Sequence, residues 1–234
     1  MEMTASLTLW QRSEQHGFRY STMVSDGDSK TYKHLLRNKV YGADIEKEKC
    51  INHVAKRMGT ALRNLVKDER TRGTTLGGRS HGSLKDSTII IISNYYRNAM
   101  YQHKGEKEGM KNAIYAILHH CRSTDEKPDH RKCQKGEDSW CFFNRALARN
   151  ERPGCHVDNV HNPLRGTIIT KVIPEFQSLA SNELLDRCLE GRTQNDNEAL
   201  HSLIWSKCPK EVFVTKQRVT ICVRLSVNTI LAVP

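Results

Sequence analysis

Three groups of residues in this chain have the types and spacing for chemistry. The densest is His119-His120-Cys121, followed by His130-Arg-Lys-Cys133 and Cys141, with Cys155 and His156 further on. Imidazole and thiolate are the ligands of tetrahedral zinc, and close ligand pairs joined to others by short loops can satisfy it. The residues between them are rich in Asp, Lys and Gly and cannot build an apolar core, so a metal would supply the missing order. The assignment from spacing is one structural Zn2+ held by His120, His130, Cys133 and Cys141, with His119 an equal rival for the first place. The plain alternative is a set of reduced thiols without metal.

A second group is acidic. Ser25-Asp26-Gly27-Asp28 closes a β-branched, aromatic stretch, and Glu198 opens a distant helix. Carboxylates from separate elements can converge on divalent cations. Two-metal phosphodiester chemistry needs at least three of them, since paired cations must be neutralised while they bind attacking and leaving oxygens. Without further information the plain reading is stronger, because Asp-Gly-Asp is commonly a turn and Asn-Asp-Asn-Glu a helix cap. The third group is Cys50-Ile-Asn-His53. One helical turn can offer both side chains to zinc, but two ligands do not complete a site, and core packing explains the pair equally well.

Periodicity indicates which elements would carry these groups. Residues 5–16 read as a short helix stopped by Gly17, and 18–25 as a strand delivering the acidic turn. A helix over 31–38 follows, then a strand over 45–51 running into a helix over 52–66. The glycine-rich stretch 70–83 reads as a mobile loop. A helical pair broken at 105–109 fits 87–120, with a strand at 88–92 as the competing reading. Residues 121–155 form a compact irregular segment, 168–189 return to helical spacing, and 193–197 offer caps for a helix over 198–206 that ends at Pro209.

The whole chain has 234 residues, 37 Lys and Arg against 26 Asp and Glu, and a formal net charge of +11. Such a surface favours polyanions. Between Glu46 and Lys85 ten basic residues face four acidic ones, a local excess of 10 − 4 = 6. Lys56, Arg57, Arg63 and Lys67 on the outer face of the helix over 52–66 are the candidate DNA contacts, with an ordinary solvated face as the alternative. No apolar run has the length to span a bilayer and the N-terminus carries no apolar signal core, so the expectation is an intracellular protein without membrane contact.

Taken together, the stretches Phe18-Arg-Tyr-Ser-Thr-Met-Val-Ser-Asp-Gly-Asp-Ser-Lys30, Lys49-Cys-Ile-Asn-His53, Ser123-Thr-Asp-Glu126, Asp138-Ser-Trp-Cys141 and Arg192-Thr-Gln-Asn-Asp-Asn-Glu-Ala-Leu-His-Ser-Leu-Ile-Trp205 resemble the Mutator-like transposase domain of arthropod proteins. The resemblance runs in order from about Ala5 to Val214. It implies an α/β fold with an RNase H-like core, here incomplete, and a large, mostly helical, zinc-binding insertion. It also implies a DDE triad using Mg2+ or Mn2+. Asp26 matches the second acidic position, with Asp28 the weaker candidate, and Glu198 matches the third. Cys50 and His53 resemble the family's Cys-x2-His motif, and His130, Cys133 and Cys141 its zinc segment.

The first acidic position of the resembled domain lies upstream of Met1, so the expectation is an N-terminally truncated core. Residues 1–214 would form the partial transposase domain and 215–234 a divergent C-terminal tail, for which a divergent strand is one reading. These features imply a nuclear, transposase-derived, DNA-binding protein, with homo-oligomers possible, that cannot cut DNA alone. The alternative is a domesticated DNA- or chromatin-binding protein without nuclease activity.

Overall fold

A computed structural model describes residues 2–27, 29–42, 44–160 and 162–231, which divide into two compact units, Met1–Arg192 and Thr193–Pro234. The first unit opens with α1 (Glu2–Gln15), β1 (Thr22–Ser25), α2 (Ser29–Arg37), β2 (Glu46–Lys49) and α3 (Ile51–Thr71). It continues with α4 (Asp86–Gln102), α5 (Lys107–Arg122), α6 (Phe142–Ala148), α7 (His156–Val160), α8 (Gly166–Leu179) and α9 (Asn182–Asp186). The second unit holds α10 (Asn195–Lys207) and α11 (Lys216–Leu231).

Strands β1 and β2 pair in parallel, with Val24 opposite Glu48, and α2 is their crossover. The α/β expectation thus narrows to one strand–helix–strand unit in a mainly helical molecule among the described residues. Trp10, Leu35 and Ile45 form its small core, and Tyr20 and Tyr41 pack on Trp10 with ring centres 5.2 and 5.7 Å away. The Tyr41 hydroxyl donates to the Trp10 carbonyl at 2.9 Å, which ties α1 to the turn before β2. Helix α1 stops where Gly17 takes a φ of 77°, a conformation that glycine adopts without strain.

The main core lies among α3, α4, α5, α8 and α9. On α3 the buried residues Ile51, Val54, Ala55, Met58 and Leu62 recur at helical spacing and leave Lys56, Arg57, Arg63 and Lys67 on the opposite, exposed face. The run Thr88 to Ile92 is helical, not a strand: Thr88, Ile89, Ile92, Tyr96 and Ala99 supply one buried face of α4 while Ile90 and Ile91 stay exposed. Close approach of α3 and α4 is possible at Gly59, where a Cβ would sit 3.0 Å from Ser93 Oγ. Tyr96 is fully buried, and its hydroxyl donates to the Leu179 carbonyl at 2.7 Å, satisfying an end group of α8. Burial pushes the Tyr96 phenol well above its usual range, so it remains a donor at any physiological pH.

The glycine-rich stretch is pinned, contrary to the mobile loop expected, because its apolar residue Leu76 and the adjoining Leu84 are core residues. Leu76 and Leu84 are buried, and the Leu84 amide donates to the Leu76 carbonyl at 2.8 Å. The Asn162 side chain clamps the rest. Its Oδ1 accepts the Gly82 N–H at 2.8 Å, while its Nδ2 donates to the Ser83 carbonyl at 2.7 Å and to Thr88 Oγ1 at 2.9 Å. Gly82 has a φ of +73° and runs so close to Arg165 that a Cβ would meet its Cγ at 2.7 Å.

In the second unit α10 begins at Asn195, so Asn195 to Asn197 form its first turn and do not precede it. Residues 216–231 are helical, which corrects the strand reading of the tail. Local backbone bonds satisfy this stretch in spite of its many β-branched residues, since propensity is a weak constraint beside hydrogen-bond satisfaction. Cys208, Cys222 and Ser226 are buried in this unit, whereas Trp205, Phe213, Ile221 and Leu225 are exposed.

Tyr96→Phe should lower the unfolding free energy by about 1–3 kcal/mol, because a buried carbonyl loses its donor. Ile117→Ala, deep in the same core, should cost about 2–5 kcal/mol. Urea unfolding followed by circular dichroism measures both.

Candidate metal centre

Helix α5 buries its apolar face through Met110, Ile114, Ile117 and Leu118 and ends at Arg122, where the Ser123 amide donates back to the His120 carbonyl at 3.2 Å. This places the His120 ring at the helix end, edge-on to Tyr95, Trp140 and Phe142. The chain then turns through 123–141. The Asn144 amide gathers this turn by donating to the carbonyls of His130, Cys133 and Gln134 at 3.2, 3.0 and 3.2 Å. The Cys141 amide donates to Ser139 Oγ at 3.1 Å, and Cys141 starts α6.

The result is a buried set of four: His120, His130, Cys133 and Cys141, whose ligand atoms lie within 4.8 Å of one another. Cys133 Sγ is 3.9 Å from both His120 Nδ1 and His130 Nδ1, and Cys141 Sγ is 3.3 Å from His130 Nδ1. A tetrahedral zinc with ordinary bond lengths holds its sulfur and nitrogen ligands about 3.6 Å apart. The observed separations bracket that value, so the residues fit such an ion. Of the two rivals for the first ligand, His120 is in the set; His119 turns outward, its Nδ1 2.8 Å from Asp129 Oδ2.

The thiol pair is polarised before any ion is considered. The contact between Cys133 and Cys141 raises the first, with burial adding to the rise, and lowers the second. A thiolate is therefore favoured at Cys141, which is the form that binds metal. Cys121, next to the set in sequence, is instead pushed up to about 12 by burial and stays an inert thiol.

Sequence reasoning gave no role to the layer behind these four. Ser123 Oγ lies 3.0 Å from both His130 Nε2 and His156 Nε2 and accepts the Asp129 N–H at 2.8 Å. Asp129 also pairs with Arg122. Burial would raise the Asp129 carboxyl, but His119 and Arg122 outweigh it and hold the group at about 2. The signal available was Ser123-Thr-Asp-Glu126, one of the stretches that carried the resemblance.

The other expected groups are placed as follows. Asp26 sits in the turn after β1, its side chain 60% exposed, with His53 Nε2 3.6 Å from its Oδ2. Asp28 lies outside the described residues. Cys50 is buried at the start of α3, one turn before His53, in the core wall and not among the four ligands. Glu198 lies on α10 in the second unit. Arg63 Nε pairs with Asp86 at 2.7 Å and lines, with Gly77, Gly78, Arg79 and Lys85, a groove of about 460 Å³.

The Mutator-like transposase family matches residues 1–141, more than half of the chain. The chain belongs to the Mutator-like transposase family. No curated protein and no solved structure gives a significant match. In this Mutator-like transposase chain the matched segment carries Asp26, Cys50, His53 and all four residues of the buried set, while Glu198 lies beyond it.

Cys133→Ser should reduce bound zinc from about one ion per chain to a small fraction and loosen residues 123–155, which have little apolar content of their own. Elemental analysis together with limited proteolysis reads both effects. Absence of zinc from wild-type protein purified without chelator would refute the assignment.

Proposed function

We propose that this transposase-derived protein binds DNA through the basic outer face of α3, carries one structural Zn2+ in the His120, His130, Cys133 and Cys141 set, and does not cut DNA by itself. The observation that carries the reading is the family match over a segment that holds the whole buried set. Its body is a transposase domain over 1–214 with an RNase H-like ancestry, to which the parallel β1–α2–β2 unit is suited, and 215–234 is a tail. Zinc supplies a cross-link between α5, the turn 123–141 and the start of α6, an ordering role that a segment without a core requires.

Lys56, Arg57, Arg63 and Lys67 lie on the exposed face of α3, and the groove with Arg79 and Lys85 extends the positive surface. Contacts of this kind are made to phosphates and carry no sequence information. The protein would act in the nucleus, where its DNA is, and needs no membrane; no described helix is long and apolar enough to cross one.

Asp26 and Glu198 are the acidic positions retained from the family triad, and Mg2+ or Mn2+ would supply Lewis-acid activation and leaving-group stabilisation to a complete triad. Two matched carboxylates, one in each unit, fall short of the three anionic ligands that a pair of cations requires. The same charge pattern suits the alternative, a domesticated DNA- or chromatin-binding protein without nuclease activity.

Two measurements test these readings. Duplex binding should be indifferent to sequence and weaken steeply between low and moderate salt, since each phosphate contact releases counterions; binding that ignores salt, or none at low salt, would sink it. Supercoiled plasmid should stay intact with Mg2+ or Mn2+, and nicking that both Asp26→Ala and Glu198→Ala abolish would show a complete active site.

A further inference from the structure

The imidazole of His130 is engaged on both sides. Its Nδ1 faces Cys141 Sγ at 3.3 Å and Cys133 Sγ at 3.9 Å. Its Nε2 faces His156 Nε2 at 2.8 Å and Ser123 Oγ at 3.0 Å. On the far side, His156 Nδ1 lies 2.6 Å from Asp125 Oδ1, which also accepts the His156 backbone N–H at 2.9 Å. Both rings are buried, and Asp125 opens to solvent with its side chain 52% exposed.

One arrangement of protons satisfies this chain of contacts. The Asp125 carboxylate only accepts, and the bond to His156 holds it ionised, below its usual range. His156 therefore carries its hydrogen on Nδ1 and presents a lone pair at Nε2. The 2.8 Å contact between the two Nε2 atoms is then a hydrogen bond only if His130 carries its hydrogen on Nε2. That leaves the lone pair of His130 Nδ1 aimed at the two sulfurs. The Ser123 hydroxyl, which accepts the Asp129 N–H and lies 3.0 Å from His130 Nε2, has its second lone pair open to the same His130 N–H. Rotation of the His130 ring is also blocked: Phe143 stacks on it with centres 4.6 Å apart and planes at 14°, and Phe142 meets it edge-on at 5.4 Å.

We infer that His156, held by Asp125, is a positioning residue of the metal centre that fixes the tautomer and plane of His130 so that Nδ1 is the ligand atom. This rests on the zinc reading of the four-residue set. The second histidine thereby extends the centre past residue 141, the end of the family match. It also couples α7, which begins at His156, to metal loading. A ligand histidine whose other nitrogen is fixed by a hydrogen bond is a better and more specific donor, and loss of such an outer partner costs about 10–100-fold in metal affinity.

The test is a cobalt titration of the full chain, followed by visible absorption and checked by zinc competition, for the wild type, His156→Phe and Asp125→Asn. Phenylalanine keeps the packing and removes the acceptor; asparagine can offer an N–H to His156 and reverse the chain of donors. Both variants should bind cobalt about 10–100-fold more weakly with altered ligand-field bands. Imidazole 15N spectra of the zinc-loaded wild type should show the Nε2–H form at His130 and the Nδ1–H form at His156. Failure of the wild type to take up cobalt or zinc would overturn the metal reading and this inference with it. Wild-type uptake with unchanged affinity and spectra in both variants, or an Nδ1–H form at His130, would overturn this inference alone. If His156→Phe does not fold, as judged by circular dichroism, Asp125→Asn decides, because its side chain is half-exposed and nearly isosteric.

Discussion

Two imidazoles and two thiols within 4.8 Å of one another, all buried, are the constraint around which the irregular part of this molecule is arranged. Polar groups withdrawn from water must find partners, and sulfur and nitrogen lone pairs directed at one point find them in a proton or a cation. The surrounding turn is built to keep them there. Asn144 holds three carbonyls of the turn, Ser139 holds the Cys141 amide, and the rings of Tyr95, Trp140, Phe142 and Phe143 close over the two histidines.

That arrangement needs a rigid support, and the helical core supplies it. His120 is on the last turn of α5, whose earlier turns are sunk among α4 and α8, so the first ligand is as fixed as the core itself. Tyr95 projects from α4 against both Trp140 and His120, a second link between core and centre. The basic face of α3 is turned away from this core by the same periodicity that buries Met58 and Leu62. One helical repeat thus fixes both the stability of the unit and the direction of its positive surface.

Much of this was legible in the sequence where a single physical rule decides the outcome. The apolar spacing of α3 and α5, the glycine stop of α1 and the thiol and imidazole spacing at 119 or 120, 130, 133 and 141 each follow from one local pattern. Three features were not legible, because they depend on partners remote in sequence. The pinning of 70–83 is decided by Asn162, the choice of His120 over His119 by where α5 ends against Trp140 and Asp129, and the place of His156 by Asp125. The tail shows a related limit: β-branched residues suggest a strand, but the backbone of 216–231 is satisfied as a helix.

The Asn162 clamp has a consequence for how the chain is made. Its three bonds join residues 74 to 80 positions apart. A ribosome adding about 5–20 residues each second needs several seconds to cover that distance. Throughout that interval the glycine-rich loop, the start of α4 and the apolar face of α3 have been synthesised, but the side chain that fastens them has not. Contacts so far apart in sequence also carry the loop-closure cost that slows folding. The clamp therefore closes only after residue 162 has emerged, and the core helices made before that moment expose the kind of apolar surface that chaperones engage.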